Sequence, residues 1–329
     1  MLVEVNETQC QRVANLLCAV HIPADREETN LHNFSSEESA ALIFLTVAIC
    51  HQTQALVGVI GGRTIRGWDY LSNKLRLAAG ADKSLLAADR WASMSDSVVR
   101  AIFADLVTGE TLTDVEGRTE LIRNLGSTLS DEGWNSVAGL CELADSRVST
   151  GSPNLCSLLA HFHAYRDPVF KKTYFFLGLM ANSGLWLYRD PENVGAPVDY
   201  HEVRGHLRLG TVAIIEPELR SKVLKGEPVD EIEDVTIRTA VRDAITRIAE
   251  LHGSANPMEL HYLFWNIFRS VCIRAHPLCH FAKDAALPER YHDLLKLAGR
   301  GECCPFVAAC PSSDLDVRFI EHKFQTDWY

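Results

Sequence analysis

Apolar residues recur three or four positions apart along most of the chain, with polar residues between them, which is the pattern of amphipathic helices. The clearest case is residues 235–252, where apolar side chains share one helical face and charged side chains the other, and Gly253 follows as a stop signal. Similar patterns predict helices at residues 39–50, 97–106, 118–129 and 257–272.

Clusters of Gly, Pro, Asp and Asn separate these segments and predict loops near residues 108–114, 146–153, 190–197 and 282–288. Alternating, strand-like runs are scarce, so the pattern predicts an all-α fold. With 329 residues, of which 47% are hydrophobic, the chain can bury a full core as one large domain or as two lobes that share a cleft.

The first residues lack the basic start and apolar core of a secretory signal, and the longest apolar run, residues 40–50, is too short to span a bilayer. We therefore expect a cytoplasmic protein with no membrane partner. The chain contains ten cysteines. Because thiols stay reduced in the cytosol, clustered cysteines there more often bind metal than form disulfides.

Five of the cysteines fall between Cys272 and Cys310. Six residues separate Cys272 from Cys279, and five separate Cys304 from Cys310, so four thiolates arrive as two pairs. Such a set can hold an iron–sulfur cluster or zinc, and the six-residue gap, wider than in a zinc knuckle, favours the cluster. We predict a 4Fe-4S cluster on these four cysteines, with zinc as the alternative. Further candidate ligands are Cys303, in place of Cys304, and the histidines His276 and His280.

The formal net charge of −11 argues against a protein that acts mainly on nucleic acid, because phosphate contacts need a basic surface. One basic stretch with interleaved aromatic residues could still contact phosphate or stack on a base. Its members are Arg63, Arg66, Trp68, Tyr70, Lys74 and Arg76. The alternative for this stretch is a solvated helix face with two core aromatics.

Residues 197–204, PVDYHEVR, and the LRLG at 207–210 resemble the segment that carries the catalytic aspartate in helix-hairpin-helix DNA glycosylases. The tail from residue 261 to residue 310 is similar to the iron–sulfur loop of endonuclease III and the adenine-mismatch glycosylases, although a long insert replaces their two-residue middle gap. The resemblance implies a two-lobed helical fold with Asp199 as the catalytic residue.

Two further positions belong to this resemblance. Lys172 matches the lysine with which bifunctional members form a Schiff base, and Gln52 matches a glutamine that enters the duplex stack. The hairpin before Lys172 differs, because residues 167–170 read DPVF where the family has two glycines that let backbone N–H groups approach a DNA phosphate. The usual duplex anchor is therefore missing.

Residues 95–265 also resemble the queuosine salvage proteins, which are nucleotide N-glycosylases related to the DNA glycosylases. The matching elements are YRD at 165–167, FKK at 170–172, VDYH at 198–201 and VTIR at 235–238. That family also lacks the glycine hairpin and frees a 7-deazaguanine base from a small nucleotide. The chain has ICHQT at residues 49–53 in place of that family's pocket segment, which leaves the identity of the base open.

Breaking an N-glycosidic bond creates an oxocarbenium-like sugar, which needs a carboxylate to stabilise its charge or to orient water. Asp199 is the predicted carboxylate, although an Asp at a helix start is more often an N-cap. His201 is the candidate for protonating or hydrogen-bonding the leaving base. Lys172 is a candidate nucleophile, provided that burial lowers its pKa. The predicted substrate contacts are Gln52, Trp68, Tyr200 and Arg204.

The sequence thus predicts an N-glycosylase that acts on a modified nucleotide or nucleoside of the 7-deazaguanine type. The alternatives are a DNA glycosylase that excises a damaged or modified base, and a non-catalytic nucleic-acid-binding module. We expect a first lobe at about residues 40–170, a second lobe of residues 1–39 and 171–260, and a cluster segment at residues 261–329.

Overall fold

The computed structural model describes residues 2–22, 31–279, 289–297, 304–315 and 318–329. These residues form thirteen α-helices and four short strands, which confirms the predicted helical character of the chain. Within the same ranges, no helix is long and apolar enough to cross a membrane.

The strands are β1 (Val3–Val5), β2 (Val57–Ile60), β3 (Arg63–Arg66) and β4 (Val212–Ile214). The helices are α1 (Glu7–Leu17), α2 (Ser36–Ala48), α3 (Gly67–Ala81), α4 (Ala88–Ala92), α5 (Asp96–Phe103), α6 (Val115–Asp131), α7 (Gly139–Leu143), α8 (Leu155–Leu159), α9 (Lys171–Asn182), α10 (Tyr200–Leu209), α11 (Pro217–Lys225), α12 (Glu231–His252) and α13 (Pro257–Ser270). Short 3-10 helices span Lys83–Leu86, His163–Tyr165, Pro191–Asn193 and Glu289–Leu297.

All five helices predicted from periodicity are present, and their ends lie within four residues of the predicted ends. The predicted loops at residues 108–114 and 146–153 contain no helix, and the one at 190–197 contains a single 3-10 turn. The predicted loop at residues 282–288 lies outside the described residues.

A capping box sets the start of α12, the longest helix. The side chain of Asp230 accepts a hydrogen bond from the backbone N–H of Glu233, and the Glu233 carboxylate accepts one from the backbone N–H of Asp230. This exchange satisfies N–H groups that have no partner within the helix. It places the start of α12 four residues before the start predicted from apolar spacing.

The chain divides into two compact units, called unit 1 (Met1–Asp25 and Val194–Gln325) and unit 2 (Arg26–Asn193 and Thr326–Tyr329). The division differs from the predicted lobes after residue 170, because α9 packs on α2 and belongs to unit 2. It also differs for the predicted cluster segment, because α13 packs on α10 and α12 within unit 1.

Unit 1 is organised around α12, whose predicted apolar face is its buried face. The residues of that face are Ile237, Val241, Ala244, Ile245 and Ile248, each fully buried. Helices α1, α10 and α13 pack against α12, and β1 pairs with β4 in an antiparallel ladder that places Glu4 opposite Ala213. Unit 1 therefore joins the first residues of the chain to residues about two hundred positions later.

Buried charges hold the C-terminal part of unit 1. Asp234 and Arg238 of α12 form a fully buried salt bridge of 2.8 Å, and Nε2 of His322 lies 2.6 Å from Asp234 Oδ1. The neighbouring Glu321 pairs with Arg204 of α10 at 2.8 Å. Because removing one partner of a buried pair costs about 3–5 kcal/mol, these contacts fix the segment on the core.

Unit 2 has an aromatic core around Phe44 of α2. The Phe44 ring stacks on Tyr165 at a centroid distance of 4.8 Å, and Phe162 and Phe176 approach it edge-on at 5.0 and 5.3 Å. The Tyr165 hydroxyl also donates to the Phe44 carbonyl at 2.8 Å. Edge-on and stacked rings of this kind add to the free energy gained from burial.

The basic-aromatic stretch is only partly helical. Residues Arg63 and Arg66 lie on β3, which pairs with β2 in a hairpin that turns at two glycines with positive φ. Tyr70 on α3 is fully buried and donates its hydroxyl to the Phe103 carbonyl, so it is a core residue. The hairpin was not predicted from the sequence, and neither was the β1–β4 ladder.

The close contact of α10 with α13 gives a stability prediction. A Cβ added at Gly205 would lie 2.0 Å from the Phe268 ring, whereas one added at Gly80 of α3 meets nothing within 4 Å. We expect Gly205→Ala to destabilise the protein by about 1–3 kcal/mol through overpacking, and Gly80→Ala to stabilise it by about 0.5–1 kcal/mol. Thermal unfolding of both variants checks this, and equal stability of Gly205→Ala and wild type would contradict the contact.

A buried histidine on α10 couples stability to pH. Burial lowers the pKa of His206 from 6.5 to about 3. Its Nδ1 lies 2.7 Å from the Thr211 hydroxyl, and its Nε2 is buried without a partner among the described residues. Since the unfolded chain takes up the proton first, the stability from a neutral His206 is complete above pH 6.5 and is lost as pH falls towards 3.

We therefore expect His206→Asn, whose amide can keep the contact with Thr211, to flatten the loss of stability in acid. Between pH 6 and pH 5, the wild type should lose roughly 1 kcal/mol more unfolding free energy than the variant. Urea unfolding at several pH values measures both slopes. Parallel slopes would show that His206 is protonated equally in the folded and unfolded states.

Candidate functional site

Asp199 is the N-cap of α10 and is half-buried. Its Oδ1 accepts hydrogen bonds from the backbone N–H groups of His201 and Glu202 at 2.7 and 3.4 Å. Its Oδ2 accepts one from the indole Nε1 of Trp265, on α13, at 3.0 Å. These donors and the positive end of the helix dipole favour negative charge here, so the capping role also fixes the orientation of a carboxylate.

Glu202 completes the capping box and reaches a second helix. Its Oε2 accepts from the Asp199 backbone N–H at 3.1 Å, and its Oε1 lies 2.7 Å from Nδ1 of His261. The Glu202 side chain is fully buried, and this burial raises its pKa despite the opposing effect of His261. Neither residue was predicted to belong to the site, although the Asp-x-x-Glu spacing at 199–202 is itself a capping signal.

His201, the predicted proton donor, is neutral at pH 7. Burial lowers its pKa from 6.5 to about 4, and the Arg204 guanidinium donates to its Nδ1 at 2.9 Å. The hydrogen of the ring therefore resides on Nε2, which can donate a hydrogen bond but does not hold an extra proton near neutral pH. The predicted substrate contact Tyr200 packs on the His201 ring at 4.2 Å, and burial raises the pKa of its phenol.

Arg204, another predicted substrate contact, is buried and fully engaged within unit 1. Its Nε donates to the Cys272 carbonyl at 2.9 Å, one terminal nitrogen donates to Glu321, and the other donates to the Phe268 carbonyl and to His201. This geometry gives Arg204 a structural role in joining α10, α13 and the C-terminal segment.

The other three predicted site residues belong to unit 2. Lys172 is fully buried at the start of α9, where its ammonium donates to the Ala48 carbonyl, and burial lowers its pKa to about 8. Gln52 has a φ of 44° and donates its amide to the Thr326 carbonyl at 3.0 Å. Trp68 is half-buried and meets Phe175 edge-on at 4.8 Å.

In the turn before Lys172, the backbone N–H groups donate hydrogen bonds to a side chain of the same turn. The Asp167 carboxylate accepts hydrogen bonds from the backbone N–H groups of Val169 and Lys171 at 3.0 and 2.8 Å. Phe170 takes a left-handed φ of 62° in this turn. An internal carboxylate thus occupies the place where a glycine hairpin could offer N–H groups to a phosphate.

Four cysteines line one cavity in unit 1. They are Cys272, Cys279, Cys304 and Cys310, and the wall also includes Gly205, Phe268, Arg208 and Arg318. All four are free thiols. Burial raises the pKa of three of them, Cys279, Cys304 and Cys310, to about 12 for Cys310, so these three thiols are protonated near neutral pH.

Arg208 brings a positive charge to the cavity wall. The guanidinium is buried and donates to Sγ of Cys272 at 3.4 Å, and its other acceptors are the carbonyls of Cys272, Ile273, Arg274 and Phe319. Within the described ranges, Arg208 has no carboxylate partner. A buried arginine without an acid is costly unless another group of negative charge compensates it.

Among the residues that the structure describes, no group of three or more His, Cys, Asp or Glu side chains is close enough to hold one ion. The alternative ligand His276 is exposed and does not line the cavity, whereas Cys303 and His280 lie outside the described residues.

No protein-family model matches the chain, and no curated protein matches it either.

Proposed function

We propose that this protein is an N-glycosylase that hydrolyses the N-glycosidic bond of a modified nucleotide or nucleoside. The observation that supports this most is the half-exposed carboxylate of Asp199, fixed by the N–H groups of α10 and by Trp265. A fixed carboxylate can stabilise an oxocarbenium-like sugar or orient the attacking water. The helical units are compatible with the two-lobed glycosylase fold that the motifs around Asp199 imply.

A small substrate is favoured over duplex DNA. The Asp167 carboxylate already accepts hydrogen bonds from the N–H groups at the start of α9, so they cannot bind a DNA phosphate there. The net charge of −11 for the whole chain also opposes binding to a phosphate backbone. The 7-deazaguanine class is proposed from the resemblance to the queuosine salvage proteins.

We further propose that the four cysteines bind a 4Fe-4S cluster. Four free thiols line one cavity, no group of side chains in the described part of the chain is placed to hold a single ion, and Arg208 supplies a positive charge that the anionic cluster would compensate. When bound, the cluster would cross-link the segments that carry the cysteines. Zinc is the less favoured ligand, because it requires all four sulfurs about 2.3 Å from one ion.

Metal analysis tests this proposal. Protein purified without oxygen should contain roughly four iron atoms per chain and show visible thiolate-to-iron absorption. Serine variants of Cys272, Cys279, Cys304 and Cys310 should each lose most of the iron, whereas Cys141→Ser in unit 2, and Cys303→Ser, should retain it. About one zinc per chain would instead establish the alternative, and full iron in the Cys304→Ser variant would remove that cysteine from the ligand set.

Base release tests the enzymatic proposal. Wild type should release free base from 7-deazaguanine nucleotides or nucleosides, and Asp199→Asn, which keeps an acceptor oxygen for capping, should lower the rate by at least about a hundredfold. Mass spectrometry of the released base measures both. Unchanged release by Asp199→Asn would overturn the assignment, and no release by wild type from nucleotides or lesion-bearing duplexes would favour the non-catalytic module.

A DNA glycosylase is the second candidate, and one observation favours it. Arg63 and Arg66 are exposed on β3, and neither has a carboxylate partner in the described part of the chain. If base is released from duplex DNA alone, and the release is weaker in a variant that combines Arg63→Glu and Arg66→Glu, this candidate is supported.

Borohydride trapping tests whether Lys172 forms a Schiff base with the sugar. The lowered pKa of Lys172, about 8, leaves a minority of neutral amine at pH 7.

A further inference from the structure

The proposed reaction needs a proton at the departing base. When the bond between the sugar and the base nitrogen breaks, both bonding electrons stay on that nitrogen, so an unprotonated base would leave as an anion. His201 does not supply this proton, because its Nδ1 accepts from Arg204 and its ring is neutral. The donor must therefore be another group near Asp199.

His261 is bound to the same turn of α10 as Asp199. One oxygen of Glu202 lies 2.7 Å from His261 Nδ1, and its other oxygen accepts the backbone N–H of Asp199 at 3.1 Å. A single buried carboxylate thus links the imidazole to the residue proposed to face the sugar. With Nδ1 engaged by Glu202, Nε2 is the ring nitrogen left to transfer a proton to a substrate.

A second residue of α13, one turn after His261, contacts Asp199 directly. Trp265 follows His261 by four residues, which places both side chains on one face of α13. The indole of Trp265 donates to Asp199 Oδ2 at 3.0 Å. The same two helix segments therefore hold the Asp199 carboxylate and the His261 imidazole, and His261 Nε2 has no hydrogen-bond partner within the described ranges.

We propose that His261 is the general acid that protonates the leaving base, and that Glu202 is the residue that positions it. This inference rests on the proposed N-glycosylase function. As the glycosidic bond breaks, the Nε2 proton moves to the base nitrogen that receives the electron pair. Water then adds its oxygen to the sugar carbon and releases one proton, which returns to His261 Nε2. The sum is hydrolysis with no added oxidant or reductant.

A purely structural Glu202–His261 pair would also stabilise the capping box, so the test must separate chemistry from folding. His261→Asn is the informative variant, because its amide can still donate to Glu202 but it has no atom in the place of Nε2. Two substrates are compared: a 7-deazaguanine nucleoside, whose base leaves only after protonation, and 7-methylguanosine, which has a methylated N7 where the first has carbon and whose cationic base leaves neutral without a proton.

We expect His261→Asn to lower the rate on the first substrate by about 10²–10⁴-fold and on the methylated one by less than tenfold. His206→Asn, a histidine-to-asparagine change on α10 away from the proposed chemistry, should slow both substrates equally and slightly. Equal losses of His261→Asn on both substrates, or no loss on either, would overturn the proposal. Asp199→Asn should slow both substrates, since both pass through the oxocarbenium-like sugar.

Chemical modification keeps the inference testable if His261→Asn fails to fold. Diethyl pyrocarbonate should modify Nε2 of His261 in the intact wild-type protein, as read by peptide mass spectrometry, and should modify His206 much more slowly. A His261 that the reagent does not reach cannot meet a substrate, and the proposal would fall. If wild type releases base, Asp199→Asn does not, and diethyl pyrocarbonate leaves His261 unmodified, only the inference about His261 is refuted. If wild type releases no base, the proposed function and the inference are refuted together.

Discussion

Buried charge along α10 is the constraint on which unit 1 depends. Besides the neutral His206, three side chains of this ten-residue helix, those of Glu202, Arg204 and Arg208, bring ionisable groups into the interior, where an unpaired charge is costly. Each is met by a group from elsewhere in the chain: His261 for Glu202, Glu321 for Arg204, and backbone carbonyls with a cysteine sulfur for Arg208. The positions of α13, the cysteine segment and the C-terminal segment follow from these pairings.

The two ends of α10 have different chemistry. Its N-terminal turn presents Asp199, and its last turn places Arg208 at the cysteine cavity. Ten residues of helix span about 15 Å, so the carboxylate and the cavity share a rigid support without direct contact. In this arrangement the proposed cluster would stabilise one end of the helix, while the other end would bind the proposed substrate.

Local patterns in the sequence predicted the helices, because apolar periodicity is a property of neighbouring residues. They did not predict the strands, which are three or four residues long and too short to show alternation. For the site, motif resemblance singled out Asp199 and spacing singled out the paired cysteines, but Arg204 was assigned to substrate although the structure buries it. Its partner Glu321 is 117 residues away, and Glu202 and His261 are 59 residues apart, so only tertiary structure reveals these pairs.

The segment at residues 318–325 has a consequence for the order of folding during synthesis. Strand β1 is made first, but its partner β4 follows about two hundred residues later, and His322 and Glu321 close the charge pairs of α12 and α10 later still. Nearly all of unit 2 lies between β1 and β4 in the sequence, so it leaves the ribosome before β4 and the C-terminal segment do. The first strand and helix of unit 1 therefore cannot complete their packing early in synthesis. The buried charges of α10 and α12 lack the partners Glu321 and His322 until almost the whole chain has been translated.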